Sequence, residues 1–275
     1  MLSSPANKTF CVDLQLSQRL ERAEGLANRR HVEAKQKAFP GTDAESIEVA
    51  GAYAMFDSVH SPLTQTFGLG VFETPTDADF VRLEQFFASH NAPVFHEISS
   101  VADPGLLLKL RERGYYAMEL TNILYRPVAE LTPMPMSPGL KVRIAGKDEQ
   151  EAYCKLAAEA WQLPPEFAPF FEELSQVSAK NEHVVNFIVD FNGKPIGCGG
   201  LCMSDDVSLI AGDCTLPEAR GKGAQLALIS ARVEYAKQNG VDLMMMGALP
   251  GSTSQKNGQR AGLNVAYTRI KWAKG

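Results

Sequence analysis

Residues 215–229 read TLPEARGKGAQLALI, and this stretch decides how the second half of the chain is interpreted. A strand predicted over residues 207–215 ends here, and an amphipathic helix predicted over residues 224–238 begins here. Two glycines, Gly221 and Gly223, stand in the turn between them, where a helix directs its free amides and the positive end of its dipole outward. With Arg220 and Lys222 beside them, this turn is typical of a site for a compact anion such as a diphosphate.

The turn does not match either of two common nucleotide motifs. A P-loop requires GxxxxGK followed by Ser or Thr, and a dinucleotide fold requires GxGxxG. Leu226 stands where the third glycine of the second motif would be. Both of these interpretations are therefore excluded.

The turn resembles the acyl-CoA signature of the GNAT superfamily of N-acetyltransferases, which is Arg or Gln, any two residues, Gly, any residue, then Gly or Ala. The arginine and the first glycine of that signature are present, and the last position departs from it as glutamine. The resemblance implies acetyl-CoA as co-substrate. Its pantothenate arm would pair with the backbone of Asp213, Cys214 and Thr215, and its pyrophosphate with the amides of Arg220, Gly221, Lys222, Gly223, Ala224 and Gln225.

A second stretch resembles the same family. Residues 252–257 read STSQKN and are followed by Gly262 and Leu263, in the manner of the family's Asn before a helix and Gly-Phe after it. The resemblance implies that Ser254 and Asn257 approach the cofactor. Helix capping is the alternative for both, because Ser and Asn are common capping residues.

The resemblance also implies a mechanism, in which a primary amine attacks the thioester directly in a ternary complex. We predict Asp213 as the general base, with Glu159 and Asp205 as alternatives. The family's usual acid, a Tyr four residues before the glycine that follows the helix, is here Gly258. We therefore predict Tyr267, in the last strand, as the group that protonates the leaving thiolate.

Residues 131–139 read LTPMPMSPG, and three prolines and a glycine in nine residues indicate an extended linker. We predict a fold of the α+β (mixed α/β) class with two GNAT-like domains, 1–130 and 140–275, each a mostly antiparallel twisted sheet flanked by helices. The first would be a degenerate copy, because no Lys or Arg occurs between Val59 and Phe80 to hold CoA. Both domains place a helix, a glycine and a strand in succession, at Gly114 and at Gly262, which suggests an internal repeat.

Several individual elements follow from apolar spacing. The sequence predicts a long helix over 13–37, one strand over 47–56 and a hairpin formed by strands 186–191 and 195–203. Residues 242–249 fit a strand, although their three consecutive methionines fit a buried helix as well.

Composition limits the class of protein. The chain has 275 residues, of which 45% are hydrophobic and 21% charged, as in globular proteins. It shows neither an apolar run of membrane-spanning length nor a secretory signal, so we expect a cytoplasmic protein. A net charge of −5 gives no reason to expect nucleic acid or an anionic membrane as partner, although residues 220–275 hold nine basic and only two acidic side chains.

The five cysteines lack the spacing of zinc sites, so no metal is predicted. Cys198 and Cys202 would share one face of a strand about 13 Å apart, too far for a disulfide.

Two other functions stay open at this stage. One is a non-catalytic acyl-CoA-binding regulatory protein, which the missing Tyr at position 258 favours. The other is a scaffold with a vestigial cofactor site, which Gln225 suggests. The acceptor amine, a small molecule or a peptide, and the oligomeric state are not determined by the sequence.

Overall fold

The structure is a computed structural model that describes residues 12–162, 164 and 168–274. The helices are α1 (Leu14–Ala38), α2 (Asp77–Ser89), α3 (Pro104–Glu112), α4 (Gln150–Trp161), α5 (Ala168–Lys180), α6 (Ala224–Gln238) and α7 (Thr253–Arg260). The strands are β1 (Glu45–Val49), β2 (Ala52–Phe56), β3 (Gln65–Phe67), β4 (Val94–Ser99), β5 (Tyr116–Pro127), β6 (Leu140–Ile144), β7 (Val184–Phe191), β8 (Lys194–Ser204), β9 (Val207–Thr215), β10 (Leu243–Ala248) and β11 (Asn264–Lys274).

The strands of the described residues form one continuous sheet in the order β1-β2-β3-β4-β11-β5-β10-β9-β8-β7-β6. The pairs β3–β4 and β9–β10 are parallel, and the other neighbours are antiparallel. Helices flank this sheet, so the predicted mixed α/β fold is confirmed.

The two halves repeat one order of elements. Each half has three strands, followed by a helix, a strand, a second helix and a last strand. This series runs from β1 to β5 in the first half and from β7 to β11 in the second. Gly114 and Gly262, which end α3 and α7, both have positive φ, at 83° and 99°. These are the two glycines that mark the repeat in the sequence.

The final strands of the two repeats are exchanged. β5 of the first half pairs with β10 of the second half, and β11 of the second half pairs with β4 of the first. β5 and β11 also pair with each other, antiparallel and with two register shifts. The division into domains at 131–139 stays a prediction, since strands from both sides of it share this central part of the sheet.

One predicted element is wrong, one open alternative is decided in favour of the predicted strand, and one helix was missed. The single strand predicted over 47–56 is the hairpin β1–β2, turned at Ala50 and Gly51, whose φ angles are 49° and 73°. The methionines at 244–246 lie in strand β10, not in a helix. Helix α5 was not predicted.

Helix α1 belongs to the first half but contacts the second. Arg19 donates hydrogen bonds to Asp206 and Asp242, and buried Glu21 accepts hydrogen bonds from Tyr267 and Arg269 on β11. These contacts fix α1 against β9 and β11, where it forms one wall of a cavity described below.

Candidate active site

Strands β9 and β10 pair over only part of their length. Their parallel register runs from Val207 opposite Leu243 to Ile210 opposite Met246. β9 then continues to Thr215 without a partner on that side, which opens a wedge in the sheet. The backbone groups of β9 that point into the wedge are available to a ligand, because strand groups without a ladder partner require another one.

A cleft of about 690 Å³ lies at this wedge. Ten of the eleven predicted cofactor-binding residues line it: Asp213, Cys214, Thr215, Arg220, Gly221, Gly223, Ala224, Gln225, Ser254 and Asn257. Lys222 does not, and its ammonium lies 4.4 Å from the centre of the Phe191 ring. The structure thus brings together residues from β9, α6 and α7, while their binding of acetyl-CoA stays a prediction.

The glycine turn leaves the start of α6 open. Gly221 and Gly223 have φ of 80° and 87°, a left-handed conformation that favours glycine. Gly223 is the N-cap of α6 and offers no side chain to its amides, and the first turn of α6 holds no acidic residue. The corresponding helix of the first half, α2, is closed by a capping box of Thr76 and Asp79. Of these two helix starts, only that of α6 suits an incoming anion.

The predicted base, Asp213, is held in an ion pair. Its carboxylate accepts hydrogen bonds from both terminal nitrogens of Arg232, at 2.6 Å and 2.9 Å, and Arg232 is fully buried. A Cβ at Gly199 would collide with the Asp213 carboxylate, so a glycine is required there. The geometry supports a structural role for Asp213 at the wall of the cleft.

Gln225, the departure from the family signature, links three elements. Its amide nitrogen donates to Asp213 Oδ2 at 3.2 Å and lies 3.0 Å from Ser254 Oγ. Its amide oxygen accepts a hydrogen bond from Asn257 Nδ2 at 2.8 Å. The Gln225 side chain therefore joins β9 to α7 at the inner wall of the cleft, where its amide group is engaged in these hydrogen bonds.

Tyr267 lies outside the cleft. It is 7% exposed, and its hydroxyl donates a hydrogen bond to Glu21 Oε1 at 2.8 Å on the α1 side of the sheet. Burial and the nearby Glu21 carboxylate raise the pKa of this hydroxyl well above its usual value. The structure does not bring Tyr267 to the other predicted site residues, so its role as acid stays a prediction that its position does not support.

The position where the family has its Tyr is tightly packed. Gly258 is buried in α7, and a Cβ there would lie 2.6 Å from Met246 Sδ and 3.3 Å from Leu124 Cδ2. α7 thus approaches β10 and β5 closely only because residue 258 lacks a side chain.

A second cavity of about 400 Å³ adjoins the cleft. Ala211 and Gly212 of β9 line this cavity and Asp213 lines the cleft, so the two meet along one strand. Trp161 lines both. Residues 24, 27, 28 and 31 of α1 form another wall, at the spacing of one helix face.

Two ionisable side chains that line this cavity have partners behind them. Glu24 pairs with buried Arg269 at 2.6 Å. His31 Nε2 lies 3.5 Å from Asp57 Oδ1, and Lys35 Nζ lies 3.2 Å from the same oxygen. Burial acts to raise the pKa of Asp57, but the contacts with His31 and Lys35 outweigh it and hold this pKa at about 2.

His31 and Asp57 were not predicted as site residues from the sequence. They stand on a helix and at the end of a strand that looked remote from the cofactor turn, and only the contact of α1 with the second half shows their position.

Two kinds of feature are absent from the described residues. No helix among them is long and apolar enough to cross a membrane. No group of three or more His, Cys, Asp or Glu side chains in that part of the chain is placed to hold a metal ion.

Comparison with known proteins agrees with this geometry. Residues 150–254 match the model of the Acetyltransferase (GNAT) family. No curated protein matches the chain. A GCN5-related N-acetyltransferase from Kribbella flavida has a similar structure, with a TM-score of 0.65 at 19% identity, covering 91% of this chain and 96% of that one.

Two further solved structures share the fold. A GCN5-related N-acetyltransferase from Sphaerobacter thermophilus has a TM-score of 0.61 at 17% identity, covering 94% of this chain and 93% of that one. A tandem GNAT protein from the clavulanic acid biosynthesis pathway has a TM-score of 0.61 at 11% identity, covering 81% and 78%. The chain therefore contains a domain of the GNAT acetyltransferase family at residues 150–254, within an overall fold that solved GNAT proteins share.

Proposed function

We propose that the chain is an acetyl-CoA-dependent N-acetyltransferase that moves the acetyl group to a primary amine by direct attack in a ternary complex. One observation carries this proposal. Strand β9 leads from the second cavity, past the wedge beside β10, to the glycine turn that suits an anion. A donor and an acceptor can therefore meet at Gly212 and Asp213.

The cleft fits the cofactor. The open start of α6 and the Arg220 side chain suit a diphosphate, since backbone amides, the helix dipole and a cation act on it together. The unpaired edge of β9 at 213–215 suits the amides of a pantetheine arm, which would extend the sheet as a strand does. The thioester then points toward the second cavity.

The second cavity fits an acceptor that is a small molecule. Its volume lies in the range of small-ligand sites, and residues from both halves enclose it. Its walls combine apolar side chains with the amides of Asn28, Gln65, Asn181 and Asn186.

The amine must lose a proton before or during attack, and the structure supports His31 better than Asp213 for this step. Asp213 is occupied by Arg232, and Glu24 by Arg269. His31 lines the acceptor cavity, and imidazole is the side chain whose ordinary pKa suits proton transfer near neutral pH. Asp57 stands behind it and would stabilise the imidazolium that forms.

A non-catalytic acyl-CoA-binding protein is the second candidate, because Gly258 leaves α7 without the family's Tyr. One experiment separates the two functions. The purified chain is incubated with acetyl-CoA and a panel of small primary amines, and release of free CoA thiol is followed. Release that requires both an amine and the protein supports the enzyme. Binding of acetyl-CoA without release supports the second candidate, and failure to bind contradicts both.

A further inference from the structure

Two free cysteines meet at the wall of the cofactor cleft, which Cys214 on β9 lines and behind which Cys198 on β8 is buried. Cys198 and Cys214 are direct partners in the antiparallel register of β8 and β9. Their sulfur atoms lie 3.3 Å apart and both are free thiols. No step of the proposed acetyl transfer uses either sulfur.

The register of the strands allows these two cysteines to be bonded. Directly opposed residues of an antiparallel pair have Cα atoms about 4.5–5.5 Å apart, and disulfides span about 4.4–6.8 Å. The sulfur atoms lie 3.3 Å apart and would close to about 2.05 Å in a disulfide.

The two thiols differ in access. Cys214 lines the cofactor cleft and is 6% exposed, whereas Cys198 is fully buried behind it. A small reagent that enters the cleft therefore meets Cys214 first.

They also differ in acidity. The hydrogen bond with Cys198 lowers the pKa of the Cys214 thiol, while the same contact, together with burial, raises that of Cys198. Because the thiolate is the nucleophile, Cys214 is the more reactive of the two and Cys198 is placed to resolve its oxidised form.

We propose that Cys214 and Cys198 form a reversible oxidation site that reacts with a hydroperoxide in the cofactor cleft. The Cys214 thiolate attacks one peroxide oxygen, the O–O bond breaks, and the other oxygen leaves as water after protonation. The resulting sulfenic acid is attacked by the Cys198 sulfur, the S–O bond breaks, and a second water carries away the Cys198 proton. Two thiols are oxidised to one disulfide while hydrogen peroxide is reduced to two waters.

The proposal links oxidation to the cofactor, and this link alone rests on the proposed function. Cys214 lies between Asp213 and Thr215, on the strand edge that would hold the pantetheine arm. A bound acyl-CoA therefore covers the thiol, and saturating acetyl-CoA slows its oxidation at least tenfold.

The experiment treats the full-length protein with hydrogen peroxide under native conditions, blocks the remaining thiols by alkylation and maps the peptides by mass spectrometry. We expect a linked pair of peptides carrying Cys198 and Cys214, which dithiothreitol separates again. In Cys198→Ala, Cys214 loses the hydrogen bond that lowers its pKa and is oxidised more slowly, but its sulfenic acid persists and is trapped by dimedone. Cys202→Ala, a change in the same strand β8, is the matched control and forms the disulfide at the wild-type rate.

Three outcomes decide the matter. Alkylation of both thiols after peroxide treatment, or a disulfide that involves Cys154, overturns the oxidation site. Equal rates with and without acetyl-CoA, when calorimetry shows that acetyl-CoA binds, overturn the shielding. Absence of acetyl-CoA binding contradicts the proposed function and leaves the disulfide result to be judged by itself.

Discussion

Arg232 and Asp213 form a two-point ion pair at the wall of the cofactor cleft, with N–O distances of 2.6 Å and 2.9 Å. Arg232 is fully buried, so removing the carboxylate leaves a cation without compensation. We expect Asp213→Asn to lower the free energy of unfolding by about 3–5 kcal/mol. Chemical denaturation measures this change in the free energy of unfolding. Asp205→Asn, whose side chain is 93% exposed, is the matched control and should change little. An Asp213→Asn protein of wild-type stability but without activity would instead favour a catalytic base.

Charge reversal at Arg220 and at Lys222 distinguishes a direct contact with the anion from a general effect of charge. Both are exposed cations of the glycine turn, but only Arg220 lines the cleft. We expect Arg220→Glu to weaken acetyl-CoA binding about 10-fold to 100-fold in calorimetric titration, as the loss of charged hydrogen bonds predicts. Lys222→Glu makes the same change of charge two residues away and should have a clearly smaller effect. Equal effects of the two variants would show that the anion is not bound on the Arg220 side chain.

Gly258 tests whether the missing Tyr is a lost catalytic group or a packing requirement. Gly258→Tyr places a ring where a Cβ alone would lie 2.6 Å from Met246 Sδ. We expect this variant to lose about 1–3 kcal/mol of stability or more, and to gain no activity. Gly41→Ala, where nothing lies within 4 Å of the added Cβ, should leave the melting temperature nearly unchanged. A stable Gly258→Tyr protein with faster thiol release would contradict the packing explanation.

His31 is expected to control the low-pH side of the acetylation profile. An imidazole accepts a proton only in its neutral form, so we expect kcat to fall on the acidic side of the profile. His31→Gln keeps a polar side chain but should lower kcat about 100-fold or more and remove that part of the profile. Asp57→Asn should lower kcat less, because the imidazole remains. An unchanged profile in His31→Gln would assign the proton transfer to another group.

The exchange of β5 and β11 predicts that the second half of the chain is unstable alone. Residues 140–275 without β5 leave one edge of β10 unpaired and separate β11 from β4 and β5, its two partners. We expect this fragment to aggregate or to remain largely unfolded by circular dichroism. Co-expression with residues 1–139 should restore a soluble complex that elutes as one species. A monomeric, folded 140–275 fragment that binds acetyl-CoA would contradict this prediction.

Elements with a strong local pattern could be predicted from the sequence. Helix α6 spans Ala224–Gln238 and β6 spans Leu140–Ile144, as predicted, because periodic apolar residues and clear stop signals are local properties. The hairpin at Ala50 and Gly51 was missed for a local reason as well. Its turn requires positive φ at both residues, and Ala is a rare choice there compared with Asn or Asp.

The features that define the site depend on register and on distant contacts. Cys198 and Cys214 become neighbours only through the pairing of β8 with β9 across an irregularity near Cys198. The sequence alone relates Cys198 only to Cys202, because these two cysteines are four residues apart in one predicted strand. His31 likewise reaches the acceptor cavity through the packing of α1 against the other half of the chain.

The exchanged strands also constrain how the protein emerges from the ribosome. The inner edge of β4 finds its partner only when residues 264–274 have been synthesised, more than 160 residues later. Until then the first half exposes an unpaired strand edge, which is a template for intermolecular association. Such long-range pairing gives a high contact order and slow folding, so the first half cannot close its sheet before β11 has been synthesised.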